Sequence, residues 1–352
     1  MQNSFSKYII VGAGLSGLIT ARELTKSGET DFIILESRDR IGGRILTNHN
    51  IDFGATWFQT HHKNVIDLVD ELGIAKYHQY NKGKSVLVYS SMAPEHYFET
   101  DPNAPSAYRI AGGSMAMIQD VAKPFLAKIK TETSVLEIKE KGSEVDLITN
   151  SGTYTAQKVI NTIPPNITTR IKFCPELPEQ VIAAMNKTHT WMSNAMKIGI
   201  TFKRPFWREK NLSGTLIGQV GAVTELYDHT DYENKYFSLM GFINEGLRDL
   251  SPEARKHRIL NYLEKYLGQE VQKYISYQEK DWSEDMHTSN NQIKSVYISP
   301  SYGNVIFQKT FMNGKLVFSG AETAMLYGGY MDGAISSAKN AVLLLRNSEL
   351  KI

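Results

Sequence analysis

Gly12, Gly14 and Gly17 stand in a GxGxxG pattern within "VGAGLSG", and Glu36 closes the apolar run "FIILE". Glycines at that spacing let a chain turn sharply, bring a pyrophosphate against bare N–H groups at a helix start, and seat that helix closely on a sheet. A carboxylate at the end of the next strand accepts hydrogen bonds from a ribose diol. The chemistry is dinucleotide binding. An acid rather than an arginine at position 36 argues against a 2′-phosphate, so NADP is set aside and NAD and FAD remain. The stretch "SRDRIGGRILT", Ser37 to Thr47, adds a second glycine pair with three arginines and suits a ligand that continues past its pyrophosphate. A different kind of group sits in "AMKIGITF": Lys197 shares a strand face with the small residues Ala195, Gly199 and Thr201, opposite Met196, Ile198, Ile200 and Phe202. Taken alone, such a lysine is a solvated strand residue.

The elements that position these groups follow from the pattern. Tyr8 to Val11 reads as a β-branched strand, "LITARELTKSG" as a helix closed by Gly28, and "DFIILE" as a second buried strand, together one βαβ unit. "TSVLEI" and "KVINTIPP" are further strands, the second stopped by two prolines in a natural crossing between domains. In "SGAETAMLYGGYMDGA" an acid follows a strand and glycines flank a helix start, so free N–H groups again point outward.

Composition narrows the class. With 352 residues, 41% hydrophobic and 22% charged, the chain has material for two globular cores. A formal charge of +2 from 39 basic and 37 acidic residues gives no polyelectrolyte signature, so neither nucleic acid nor a membrane surface is an expected partner. One cysteine, Cys174, excludes an intramolecular disulfide framework and any cysteine-rich metal site, and a reducing cytoplasm is the expected setting. No metal is expected, and the oligomeric state is left open.

The two glycine turns, "IDFGATWF", "AGGSMAMI", "TSVLEI", "KVINTIPP", the pair Asp281 and Trp282, "LVFSGAETA" and "GGYMDGAISSAKNA" resemble, in order and spacing, the flavin-containing amine oxidases, the monoamine and polyamine oxidase group. The resemblance runs from Lys7 to the final helix. It implies an α/β fold: a Rossmann-like FAD domain with an interleaved α+β substrate domain built on a mixed sheet. The FAD domain would comprise residues 1–74, 106–166 and 288–352, and the substrate domain residues 75–105 and 167–287. Only about 38 residues separate Gly73 from Gly112, where larger relatives carry a helical insertion, so a reduced lid is expected.

The same resemblance implies an FAD-dependent oxidase of small-molecule amines, with dioxygen as acceptor. An amino-acid oxidase or desaturase-like enzyme and a non-catalytic flavin-binding protein are the alternatives. The cofactor set takes in Gly12, Gly14, Leu15, Ser16 and Gly17 of the first turn, with Glu36, Ser37 and Arg38 after it. Gly42, Gly43 and Arg44 come from the second turn, and Gly54, Ala55, Thr56 and Trp57 from "GATW". Val135, Trp282, Gly320, Glu322, Tyr330 and Met331 complete it. Lys197 matches the family's lysine that reaches toward flavin N5 through a water, with Ala195 and Gly199 leaving room for the ring. Tyr330 matches one wall of an aromatic sandwich and Trp282 a tryptophan that lines the flavin. These three are the expected catalytic residues. The opposing wall falls near Gln292, with Tyr297 or Tyr302 as substitutes, and the position of a tethering cysteine falls near Asn291, so FAD is expected to be non-covalent.

Overall fold

The computed structural model describes residues 4–101, 104–290 and 300–349. The strand Ser4–Val11 is paired in parallel on both sides, by Gly152–Asn161 and by Phe32–Leu35. Both of its faces are therefore covered, which is why its second half is an unbroken apolar run, with Tyr8, Ile9, Ile10 and Val11 all buried. Around it lies an eight-stranded sheet in the order Lys172–Cys174, Val135–Lys141, Glu144–Thr149, Gly152–Asn161, Ser4–Val11, Phe32–Leu35, Ile129–Lys130, with Leu316–Phe318 also paired to Gly152–Asn161. The helices Leu15–Lys26 and Ser114–Ala122 and the long C-terminal helix Met331–Glu349 cover one face.

A second sheet of seven strands runs in the order Ser276–Asp281, Met196–Phe202, Phe237–Ile243, Val223–Asp228, Leu212–Gly218, Lys84–Val88, His96–Glu99. Its strands alternate. Ile198, Ile200, Leu216 and Leu226 face the helix Pro252–Leu267, whose Ile259, Leu260, Leu263 and Leu267 complete that core. The helix starts where Ser251 accepts the N–H of Ala254 beside Pro252, and stops at Gly268, whose φ of 102° a residue with a side chain rarely adopts. The other face of the sheet, carrying Lys197, turns toward the first unit. There Ile51, Phe53 and Met240 form a small joining cluster with Leu46 and Trp57.

Two expectations need correction. The prolines after "KVINT" do not mark a crossing at residue 166: the chain makes the short helix Pro165–Thr168 and returns to the first sheet as Lys172–Cys174, parallel to Val135–Lys141. Helix Glu179–Lys187 buries Val181, Ala184 and Met185 in that same core. The second sheet is entered only at Met196. Gly199 does not clear space for a ring of the cofactor. A Cβ there would lie 2.7 Å from Ile51 Cδ1 and 3.0 Å from Phe53 Cζ, so the glycine admits the chain's own hairpin.

Between Gly73 and Gly112 the described residues form only strands and loops, including the Lys84–Val88/His96–Glu99 hairpin. Among the described residues, no helix is long and apolar enough to cross a membrane.

Candidate active site

The first turn has the geometry its glycines imply. Gly12 takes φ 104°, and a Cβ on Gly17 would lie 1.9 Å from the Gly12 carbonyl oxygen, so the helix Leu15–Lys26 seats directly on the turn. A Cβ on Gly14 would meet nothing nearer than Gly43 Cα at 3.9 Å. The second glycine turn lies against the first: Gly42 N–H donates to Ala13 O at 2.9 Å, and Gly14 and Gly42 form a parallel bridge. No side chain caps the helix at Gly14, which leaves N–H groups of its first turn for an anion. Leu15 and Ser16 are buried, and Ser16 Oγ lies 2.7 Å from Ser319 Oγ, tying this helix to the C-terminal part of the sheet.

Glu36 is 2% exposed, and its two oxygens accept the N–H groups of Ala13 at 2.8 Å and Arg38 at 2.9 Å. It lines a cleft of about 280 Å³ with Gly12, Gly14, Ser37, Arg38 and Val135. A buried carboxylate facing a cleft that begins at an uncapped helix start suits the ADP half of FAD, and the stacked glycine turns suit its pyrophosphate. Arg44 reaches Glu322, Nη1 to Oε1, at 3.5 Å; Glu322 also accepts from Thr190 Oγ1 at 3.0 Å. Gly320, at φ 142°, sets Glu322 there. A Cβ on Gly54 would lie 2.0 Å from Arg44 O, and Ala55 N–H donates to that same carbonyl at 3.2 Å, so "GATW" lies along the second turn.

Lys197 is buried, and its ammonium donates to Gly54 O at 2.7 Å, Thr56 Oγ1 at 3.1 Å and Asp52 O at 3.2 Å. All three donors are engaged within the chain, by one segment of the first unit. The rings of Phe242 and Trp57 lie 5.0 and 5.6 Å from the nitrogen. Burial lowers the lysine to a pKa of about 8, against the opposing pull of Asp52. Asp52 itself is pushed up by burial, opposed by the hydrogen bond from Thr47, by Arg109 and by the Ser114 N–H. His229, unnoticed in the sequence, accepts the Asp52 N–H at Nε2, 3.1 Å away, and burial beside Arg109 and Lys197 holds it well below its usual pKa, hence neutral.

Trp282 is buried, and its Nε1 donates to Phe53 O at 2.8 Å. Tyr330 is 41% exposed at the start of the C-terminal helix beside buried Met331; its ring lies 5.1 Å from His62 and 5.3 Å from Trp191. Tyr302 supports this group from behind: its hydroxyl donates to His189 O and accepts the Trp191 N–H, and a Cβ on Gly328 would lie 2.4 Å from Tyr302 Cβ and 2.6 Å from its ring. Asn291, Gln292 and Tyr297 lie outside the described residues.

A profile described as flavin containing amine oxidoreductase matches residues 15–90 and 85–344. The chain belongs to that family. It is 25% identical to the flavin-containing amine oxidase A of Sus scrofa over 458 aligned positions, covering 98% of this chain and 85% of the relative. To the B enzyme of Canis lupus familiaris it is 30% identical over 254 positions, 68% of this chain and 47% of the relative. In fold it is similar to a wild-type putrescine oxidase bound to putrescine (TM-score 0.82, 22% identity, 99% of each chain). It is similar also to the cyclohexylamine oxidase of Brevibacterium oxydans (TM-score 0.84, 19% identity, 99% of this chain and 100% of that one). The protein is an FAD-dependent amine oxidase with a Rossmann-like cofactor unit. An alignment of 458 positions exceeds the 352 residues of this chain, and the two matched pieces of the family profile join at residues 85–90, within the shortened interval between Gly73 and Gly112.

Proposed function

We propose that this oxidase acts on a small amine that carries a second positive charge. The observation behind this is a row across the second sheet. Lys197 pairs with Phe242 and Phe242 with Glu225, so the three side chains share one face, and Lys197 and Glu225 stand about 10 Å apart at the backbone. Glu225 is half-buried, and among the described residues its carboxylate forms no ion pair and accepts only the Tyr227 hydroxyl, at 2.8 Å. Tyr227 packs edge-on against Trp57 at 5.0 Å, which continues the aromatic surface back to Lys197. An aromatic wall ending in a carboxylate without an ion pair is a site for an ammonium.

The two ends of the row do different work in this reading. Near Lys197 a second cation is disfavoured, so the amine to be oxidised is held neutral, as loss of hydride from its carbon requires. At Glu225 the distal ammonium keeps its charge and fixes the length of the substrate. Bound FAD would supply the two-electron acceptor for the hydride lost from the carbon beside the neutral nitrogen, with dioxygen as the terminal oxidant, reduced to hydrogen peroxide. The imine product is hydrolysed by water to a carbonyl compound. Glu36, the two glycine turns and the Arg44–Glu322 pair would hold the cofactor. Cys174 lies in the outermost strand of the first sheet, which supports non-covalent FAD. The interleaved cofactor and substrate domains remain part of this reading, with the crossing at residue 166 moved toward Met196.

Anaerobic mixing with diamines, monoamines and amino acids tests it, with bleaching of the flavin band as the readout. Diamines should bleach it fastest, and Glu225→Gln should raise the diamine KM about tenfold while leaving monoamines unchanged. Equal loss for both classes would remove Glu225 from substrate recognition.

A further inference from the structure

The adenosine end of the cofactor cleft has a wall that neither the glycine turns nor the first sheet provides. Asp285 to Ser289 follow the second sheet's edge strand as a tight turn, with the Thr288 and Ser289 N–H groups both donating to Asp285 O at 2.9 Å. Met286 and His287 line the cleft opposite Glu36 and Val135. The turn is gripped from two sides. On the Glu36 side, Arg38 Nη2 donates to Asp285 Oδ1 at 2.6 Å and to Thr288 Oγ1 at 2.9 Å, and Ser37 Oγ lies 3.2 Å from His287 Nδ1. On the far side Arg170, which also lines the cleft, donates to Met286 O at 2.5 Å and to Ser289 O at 3.2 Å.

We propose that Asp285–Ser289 is a clasp closed over the adenosine half of FAD, pinned between Arg38 and Arg170, and that it sets how fast the cofactor leaves. The turn spans the cleft mouth between two rims that belong to the first sheet, yet it is delivered by the second. Its buried residues, Thr288 and Ser289, anchor it while Met286, 64% exposed, forms the outer surface. Both arginine grips go to main-chain or short side-chain oxygens, so they fix the path of the backbone and not one side chain. The Asp285 carboxyl is pushed up by burial, but the Arg38 guanidinium outweighs this and keeps it below its ordinary range, so this grip is a charged one near neutral pH.

Holoenzyme diluted into FAD-free buffer reports cofactor release as a rise in flavin fluorescence. Asp285→Ala removes the grip on one rim and Arg170→Met the grip on the other. Each should speed release about ten- to a hundredfold, the loss expected for charge-assisted hydrogen bonds. With FAD in excess, both variants should keep the wild-type flavin absorbance spectrum and unfolding temperature. Unchanged release in either variant overturns the clasp, since a bridge needs both ends. Faster release accompanied by a lowered unfolding temperature at saturating FAD also overturns it, because the turn would then be a general support of the fold.

Discussion

The cofactor groove of the first sheet and the Lys197 face of the second solve opposite problems. The groove is made of backbone: two glycine turns in contact, an uncapped helix start, and one carboxylate held by two N–H groups. The Lys197 face is made of side chains, with Lys197, Asp52, His229 and Arg109 all buried within one network of contacts. A groove of backbone tolerates little change of shape, because its contacts are fixed by the path of the chain. A buried cation tolerates shape better, but its charge depends on every neighbour.

The sharpest way to break this comparison is at Gly17. A Cβ 1.9 Å from Gly12 O has no rotamer in which to escape, because the main chain fixes the position of the Cβ and the oxygen is itself main chain. Gly17→Val should therefore yield protein without flavin absorbance. Gly14→Ala, whose Cβ would meet only Gly43 Cα at ordinary contact distance, should fold and still be yellow, with weaker FAD binding. Equal behaviour of the two variants would show that the turn is not the rigid element of the groove.

Lys197→Met comes next. Flavin reduction by amine should slow by one to several orders of magnitude, as when other buried electrostatic groups at reaction centres are removed. The same change removes the ammonium that donates to Gly54 O, Asp52 O and Thr56 Oγ1, leaving the two carbonyls only the longer bonds from Thr56 Oγ1, so unfolding should also occur at lower temperature. Stopped-flow reduction and a melting curve on the same sample separate the two consequences. A variant with full FAD that reacts at the wild-type rate would make the lysine a purely structural clamp.

Legibility in sequence follows the same division. Gly12, Gly14, Gly17 and Glu36 announce themselves because the interactions are local and the backbone conformation admits few residue types. Lys197 was visible through strand alternation, but its acceptors are 141 to 145 residues away in the chain, and nothing local says that Asp52, Gly54 and Thr56 fold over it. Gly199 in the sequence says only that something comes close, which a cofactor ring or the chain itself can satisfy; the neighbours are Ile51 and Phe53. Glu225 is legible only in part: it alternates with Tyr227 around the core residue Leu226, but the strand pairing that joins their face to Lys197 is not local. The return of the chain to the first sheet at Lys172–Cys174 is three residues long, too short for any periodicity.

Glu36→Ala probes the groove more gently than Gly17. The ribose would lose a charged acceptor, worth roughly 1.5 to 3 kcal/mol, or about ten- to a hundredfold in FAD affinity. The Ala13 and Arg38 N–H groups lose their partner as well, so the larger figure is expected. Titration of FAD into stripped protein at fixed salt measures it, and an unchanged dissociation constant would mean that Glu36 serves only the turn.

The smallest effect tests the charge of the second region. Lys197 holds its proton to a pKa of about 8 in the folded chain, against the ordinary 10.5 when unfolded. Below pH 8 both states are protonated and stability does not change with pH on this account. Between 8 and 10.5 the unfolded chain binds more protons, so the folded state gains stability as pH rises. From pH 8 to 9.5 the gain is at most about 2 kcal/mol. Other tyrosines and lysines titrate in the same window, so the quantity to follow is the difference between wild type and Lys197→Met, both saturated with FAD, in urea unfolding at each pH. That difference should grow in favour of the wild type as pH rises. A flat difference would mean that the ammonium is as well accommodated inside as in water, and that the three oxygens around it fully offset its burial.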